Sequence, residues 1–132
     1  MSVTRMEIEH WEGNDRIDNE LVQPSWGDIE SAIKRMDGRI YQGIILIDEG
    51  GSQLGVGGGA NGKYIVYVTL SDEKTFTLQS NAPSTARVKL LIGGQEGEYP
   101  GHVIVDLHAV LKAVEVFAKH GRLSKDLSWL EE

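Results

Sequence analysis

Between residues 40 and 92 the chain is a succession of short runs rich in β-branched and aromatic residues, and this spacing constrains the fold more than any other feature. The runs cover residues 40–47, 53–56, 63–70, 75–79 and 87–92, with a shorter one at 102–105. Most are bounded by glycine, asparagine, aspartate or proline, and the gaps are those of hairpins. Parallel neighbours would each need a crossover of about a dozen residues or more, for which there is no room. An antiparallel meander follows. Tyr64, Val66 and Val68 alternate with Ile65, Tyr67 and Thr69, so both faces of that strand are largely apolar and it belongs in the interior of the sheet, covered on at least one side.

Two helices flank these runs. Ser25 is placed to cap a helix over residues 26–37, Asp28 adds negative charge to its first turn, and Gly38 supplies a left-handed stop. Trp26, Ile29, Ile33 and Met36 fall three or four apart, which puts them on one face. Asp106 begins the second helix, where Leu107, Val110, Leu111, Val114, Phe117 and Ala118 follow the 3.6-residue period up to Gly121. Ahead of both, Val3, Met6 and Ile8 predict an initial strand, and residues 12–20 read as a polar loop or hairpin end. The apolar tail Leu123, Leu127, Trp129 and Leu130 is expected to fold back onto the rest. The expected fold is α+β: an antiparallel, meander-like β-sheet with two main helices packed against it, residues 1–132 forming a single domain.

Composition narrows the function. No stretch nears the roughly 18 apolar residues of a membrane span, and the first nine residues lack the apolar core of a secretory signal, so a cytoplasmic, membrane-free protein is expected. The absence of cysteine excludes disulfides, thiolate nucleophiles and thiolate metal ligands. A net charge of −7 disfavours nucleic acid and anionic membrane as partners. A basic partner is the natural complement.

No catalytic constellation emerges. Gly57 to Lys63 has the spacing of a phosphate-binding loop, but Tyr64 stands where a serine or threonine would reach magnesium, and the residues after it form a strand, not a helix. A glycine-rich connection with an Asn61-Gly62 turn is the better reading. His10, His102, His108 and His120 lack paired metal-ligand spacing. Asp48 and Glu49 precede two glycines in what reads as a solvated turn, with no second group to make an acid–base pair. Ser52, Ser71 and Ser80 have no nucleophile-elbow context. The expectation is of no catalytic residue, no metal and no cofactor.

Charge distribution is more telling than its total. Residues 1–50 hold eleven acids against five bases, a net −6, while residues 51–132 hold nine against eight, a net −1. Within residues 7–30, Glu7, Glu9, Glu12, Asp15, Asp18, Glu20, Asp28 and Glu30 face a single base, Arg16. Solvated positions account for part of any such run. So lopsided a surface also speeds association with a positively charged partner. Glu12, Asp15, Asp18 and Glu20, joined by Asp48 and Glu49, are the expected partner-binding residues.

The order of landmarks resembles the bacterial immunity-protein family numbered one, whose members protect cells against polymorphic toxins that are often deaminases. The stretches that carry the likeness are Pro24-Ser25-Trp26, Met36-Asp37-Gly38, Leu54-Gly55-Val56-Gly57-Gly58-Gly59, Gly93-Gly94-Gln95 and Tyr99-Pro100. Towards the end come Ala113, Val116, Phe117, Ala118 and Gly121, then Leu127-Ser128-Trp129. The resemblance implies a non-catalytic α+β protein that binds its cognate toxin and blocks the toxin's active site or substrate surface. It marks framework positions and does not say which residues touch a toxin. Two rival readings stand beside it. One is a small-molecule-binding or enzymatic domain using the glycine-rich loops 57–63 and 93–97. The other is a self-associating module anchored by Trp11, Trp26 and Trp129.

Overall fold

A computed structural model describes residues 1–81 and 86–132. In chain order these form β1 (Val3–Glu12), β2 (Asp15–Val22), α1 (Trp26–Arg35), β3 (Tyr41–Asp48), β4 (Gln53–Gly58), β5 (Tyr64–Thr69), β6 (Thr75–Leu78), β7 (Arg87–Ile92), β8 (Gln95–Pro100), α2 (Leu107–His120) and β9 (Trp129–Glu131). Seven strands make one sheet in the order β2-β1-β3-β4-β5-β6-β9, and β7 and β8 pair as a separate hairpin. All pairings are antiparallel. The α+β meander with two helices is thus the architecture observed.

Alternation along the strands sends one set of side chains towards the helices. Met6 lies opposite Leu46, Leu46 opposite Leu54, and Leu54 opposite Val68, so one apolar row crosses four strands. Ile44, Val56 and Val66 make a second row. Ile29 and Ile33 from α1, with Val110, Val114 and Phe117 from α2, close over these rows and are fully buried. At about 1.5–3 kcal/mol for each such side chain, this layer dominates the folding energy. α1 begins with a reciprocal capping box: Ser25 Oγ accepts from the Asp28 N–H, and the Asp28 carboxylate accepts from the Ser25 N–H. Asp106 caps α2, which ends on Gly121 at φ 66°.

Four local features differ from the sequence expectation. Of the two readings of residues 12–20, the polar loop fails and the hairpin end holds: only Gly13 and Asn14 turn, and Asp15–Val22 continue as a strand. Polar residues line this edge strand on both faces, so it carries no apolar alternation. β8, Gln95–Pro100, is hidden for the same reason. Residues 102–105 are not a strand; Gly101–Val103 is a 3-10 turn, followed by a single bridge from Val105 to Tyr64. Gly38 does not stop α1 directly. The helix closes at Met36 in an extended conformation, and Gly38, at φ 71°, fits against Ala60, where a Cβ would collide with backbone. Trp129 does fold back, placing β9 beside β6.

Asp37 holds the chain between α1 and β3. Its Oδ1 accepts the N–H groups of Arg39, Ile40 and Tyr41 at 2.9, 2.9 and 3.0 Å. Burial works to raise its pKa, but these donors and the Arg39 charge outweigh burial and hold the carboxyl below its ordinary range. A lowered folded-state pKa adds stability that is present above the ordinary aspartate range and lost as pH falls through the folded value. Asp37→Ala is therefore expected to cost about 1 kcal/mol at neutral pH, as loss of a cap does. Urea unfolding should show that difference shrinking as pH falls below the ordinary aspartate value of about 3.9; an equal difference at neutral and acid pH would contradict the ionic part of this account.

Candidate functional site

The acids concentrated early in the sequence are organised by the β1–β2 hairpin. Gly13 takes a positive φ of 64°, which fits the two-residue turns that hairpins favour. Pairing then sets Glu12 against Asp15, Glu9 against Asp18 and Glu7 against Glu20. Three of the eight cross-strand pairs in this register place like charges directly opposite each other, an arrangement that destabilises a hairpin.

Alternation divides these acids between the two faces of the sheet. Glu7, Glu9, Asp18 and Glu20 share the face away from the helices, whereas Glu12 and Asp15 close the hairpin on the helix side, where Glu12 lies 3.6 Å from His10. Arg16 bridges the first group, with Nε 3.1 Å from Asp18 Oδ1 and a terminal nitrogen 3.5 Å from Glu9 Oε1. The Asp18 hydrogen bond, with the charges of Glu9, Asp18 and Glu7, raises the Arg16 pKa against the opposing effect of burial. Arg5 approaches Glu20 more loosely, at 3.9 Å.

Glu9 is largely enclosed, with its side chain 11% exposed. Trp11 Nε1 donates to its Oε2 at 2.6 Å. Beneath it lies Gly43, where a Cβ would stand 3.2 Å from the carboxylate. Gly43 pairs with Gly57, and the two floor a cleft of about 200 Å³ walled by Glu7, Glu9, Arg16, Asp18, Tyr67 and Ile92. Tyr67 leans across Gly55, so a side chain there would overlap its ring. Burial, then the Glu9 charge, raises the Tyr67 pKa. The β7–β8 hairpin overhangs this face: Ile92 covers Gly57, Trp11 fills the space above Gly94, and the Gly94 N–H donates to buried Gln42 at 2.8 Å.

The expected partner-binding residues therefore do not form one group. Asp48 is buried at 8% exposure, and its Oδ1 accepts from the Gly50 N–H at 2.6 Å and from Ser2 Oγ at 3.3 Å. It is committed to the β3–β4 turn, which is less solvated than the sequence suggested. Glu49 is exposed beside it. Asp48 pairs with Val3, nine residues along β1 from Glu12, or roughly 30 Å at strand rise. Glu7, Glu9, Trp11 and Tyr67 are the neighbours that a reading by chain segment does not bring together.

The glycine-rich loops have structural employment. Gly59, at φ 112°, lies against the Met36 carbonyl, Asn61 and Gly62 take positive φ in a 3-10 turn, and β5 follows directly, so no helix starts from the loop. Gly93 and Gly94 turn β7 into β8. Among the described residues, no three His, Asp or Glu side chains converge on a metal-sized site, and no helix is long and apolar enough to cross a membrane.

No curated protein matches this sequence. A family model, described as immunity protein Imm1, matches residues 17–131, from the third residue of β2 through β9. With that match spanning most of its length, the chain belongs to the Imm1 immunity-protein family.

Proposed function

We propose that this chain, acting as a single domain of residues 1–132 in the cytoplasm, binds a cognate toxin domain and neutralises it without catalysis. The acidic β1–β2 hairpin covers the toxin's active site or substrate surface. Membership of an immunity family supports the general role. The observation that carries the interface is the like-charge pair Glu7–Glu20, reached by Arg5 only at 3.9 Å, with Glu9–Asp18 beside it on the same face, while Glu12–Asp15 adds a third pair at the hairpin tip on the other face. Such pairs oppose folding and are relieved when a cation lies between them. A toxin that deaminates or cuts nucleic acid must itself attract phosphates, so its substrate surface is basic and complements this hairpin. Asp48 plays no part in this interface; Glu49, at the other end of β1, marks its outer limit.

Two measurements test the reading together. Glu7→Lys turns a like-charge pair with Glu20 into an opposite-charge pair, and it is expected to stabilise the free protein by about 0.5 kcal/mol, a rise of a few degrees in Tm. The same variant should bind the toxin at least about ten-fold more weakly, equivalent to about 1.4 kcal/mol. Higher Tm with unchanged affinity would remove the hairpin from the interface. The double reversal Asp18→Lys with Glu20→Lys should weaken association by about 100-fold, mostly through the on-rate at low salt, measured by surface plasmon resonance against the purified toxin domain. Full retention of affinity by that variant contradicts the assignment.

A further inference from the structure

We infer that β2 is an acceptor edge, to which a basic segment of the partner adds as an eighth strand. This deepens the proposal above and rests on its acidic hairpin as the toxin-facing surface.

The phase of the edge follows from two hydrogen bonds. The Trp11 N–H donates to Ile40 O, away from β2, and the Gln23 N–H donates to Thr4 O, towards β1. In an antiparallel strand the backbone groups of successive residues point to opposite sides. Ile17, Asn19 and Leu21 therefore bond to β1, and Arg16, Asp18, Glu20 and Val22 turn their N–H and C=O groups to the outer edge. Among the described residues, β2 has a strand neighbour on one side only.

Edge strands are ordinarily blunted by shortness, proline, a bulge or a cover. β2 has eight residues, no proline and an unbroken register with β1. Leu21 and Val22 are also left 39% and 64% exposed at its end. What guards this edge is charge, three acids against one base. That charge decides the occupant: a second copy would bring two acidic edges together, whereas a strand with lysine or arginine at alternate positions would set cations opposite Asp18 and Glu20 while taking up their outward backbone groups. Strand addition draws affinity from the main chain and specificity from alternate side chains.

The test uses amide exchange by NMR at low salt, with two synthetic peptides of equal charge. One alternates lysine with threonine, and the other has the same sequence with every backbone nitrogen methylated, so that it has no N–H groups to supply to the ladder. The first is expected to slow exchange at Asp18, Glu20 and Val22 at least ten-fold, with no slowing by the second. Glu20→Pro removes an outward N–H and spares the bonds to β1, so it should abolish the slowing at Asp18 and Val22, while Glu20→Gln keeps most of it. Equal or absent slowing with both peptides overturns strand addition. If both peptides still shift the Asp18 and Glu20 resonances, the acidic interface survives that failure; if neither does, the interface falls with it.

Discussion

One apolar layer, the burial of α1 and α2 against a single face of the seven-stranded sheet, fixes what the other face is free to do. Phe117, Ile29, Ile33 and the rows running from Met6 to Val68 satisfy most of the hydrophobic requirement of the fold on that side. The opposite face is largely released from packing duty, with the β7–β8 hairpin packed over part of it. It is built instead with glycines at 43, 55 and 57, and larger side chains from neighbouring strands lie across them. Tyr67, Glu9 and Ile92 each occupy space that a Cβ would otherwise fill, and the β7–β8 hairpin can approach closely enough for Gln42 to hold its turn.

On that released face the hairpin places charges in a way that folding alone does not favour. Arg16 offsets part of the repulsion between Glu9 and Asp18, and Arg5 reaches Glu20 only at 3.9 Å. The pair Glu7–Glu20 is left poorly compensated. Interfaces are where unfavourable free-state electrostatics become useful, because the partner supplies the missing charge. The immunity role that the family assigns is consistent with this economy of arrangement: no bound group or catalytic set is needed for an inhibitor that works by occupying a surface.

Much of the fold was legible because it rests on periodicity and caps. Ser25, Asp106 and Gly121 mark helix ends through local backbone chemistry, and residues 40–70 alternate strongly enough to reveal their strands. β2 and β8 were not legible, since edge strands exposed on both faces carry no apolar signal. Asp48 could not be recognised as buried, because Ser2, which donates to it, and Gly121, which lies against it, are distant in sequence. The acidic pairing did leave a trace. Glu12 and Asp15, Glu9 and Asp18, and Glu7 and Glu20 are each equidistant from the Gly13–Asn14 turn, so recognising a two-residue hairpin there yields all three pairs.

The central claim is that charge on this hairpin draws in a basic toxin. Its most direct test is the association rate constant of the unmodified protein with its toxin as a function of ionic strength. The account predicts a fall of about ten-fold or more between roughly 20 and 500 mM salt, with dissociation changing much less. An association rate that is flat across this range would contradict it.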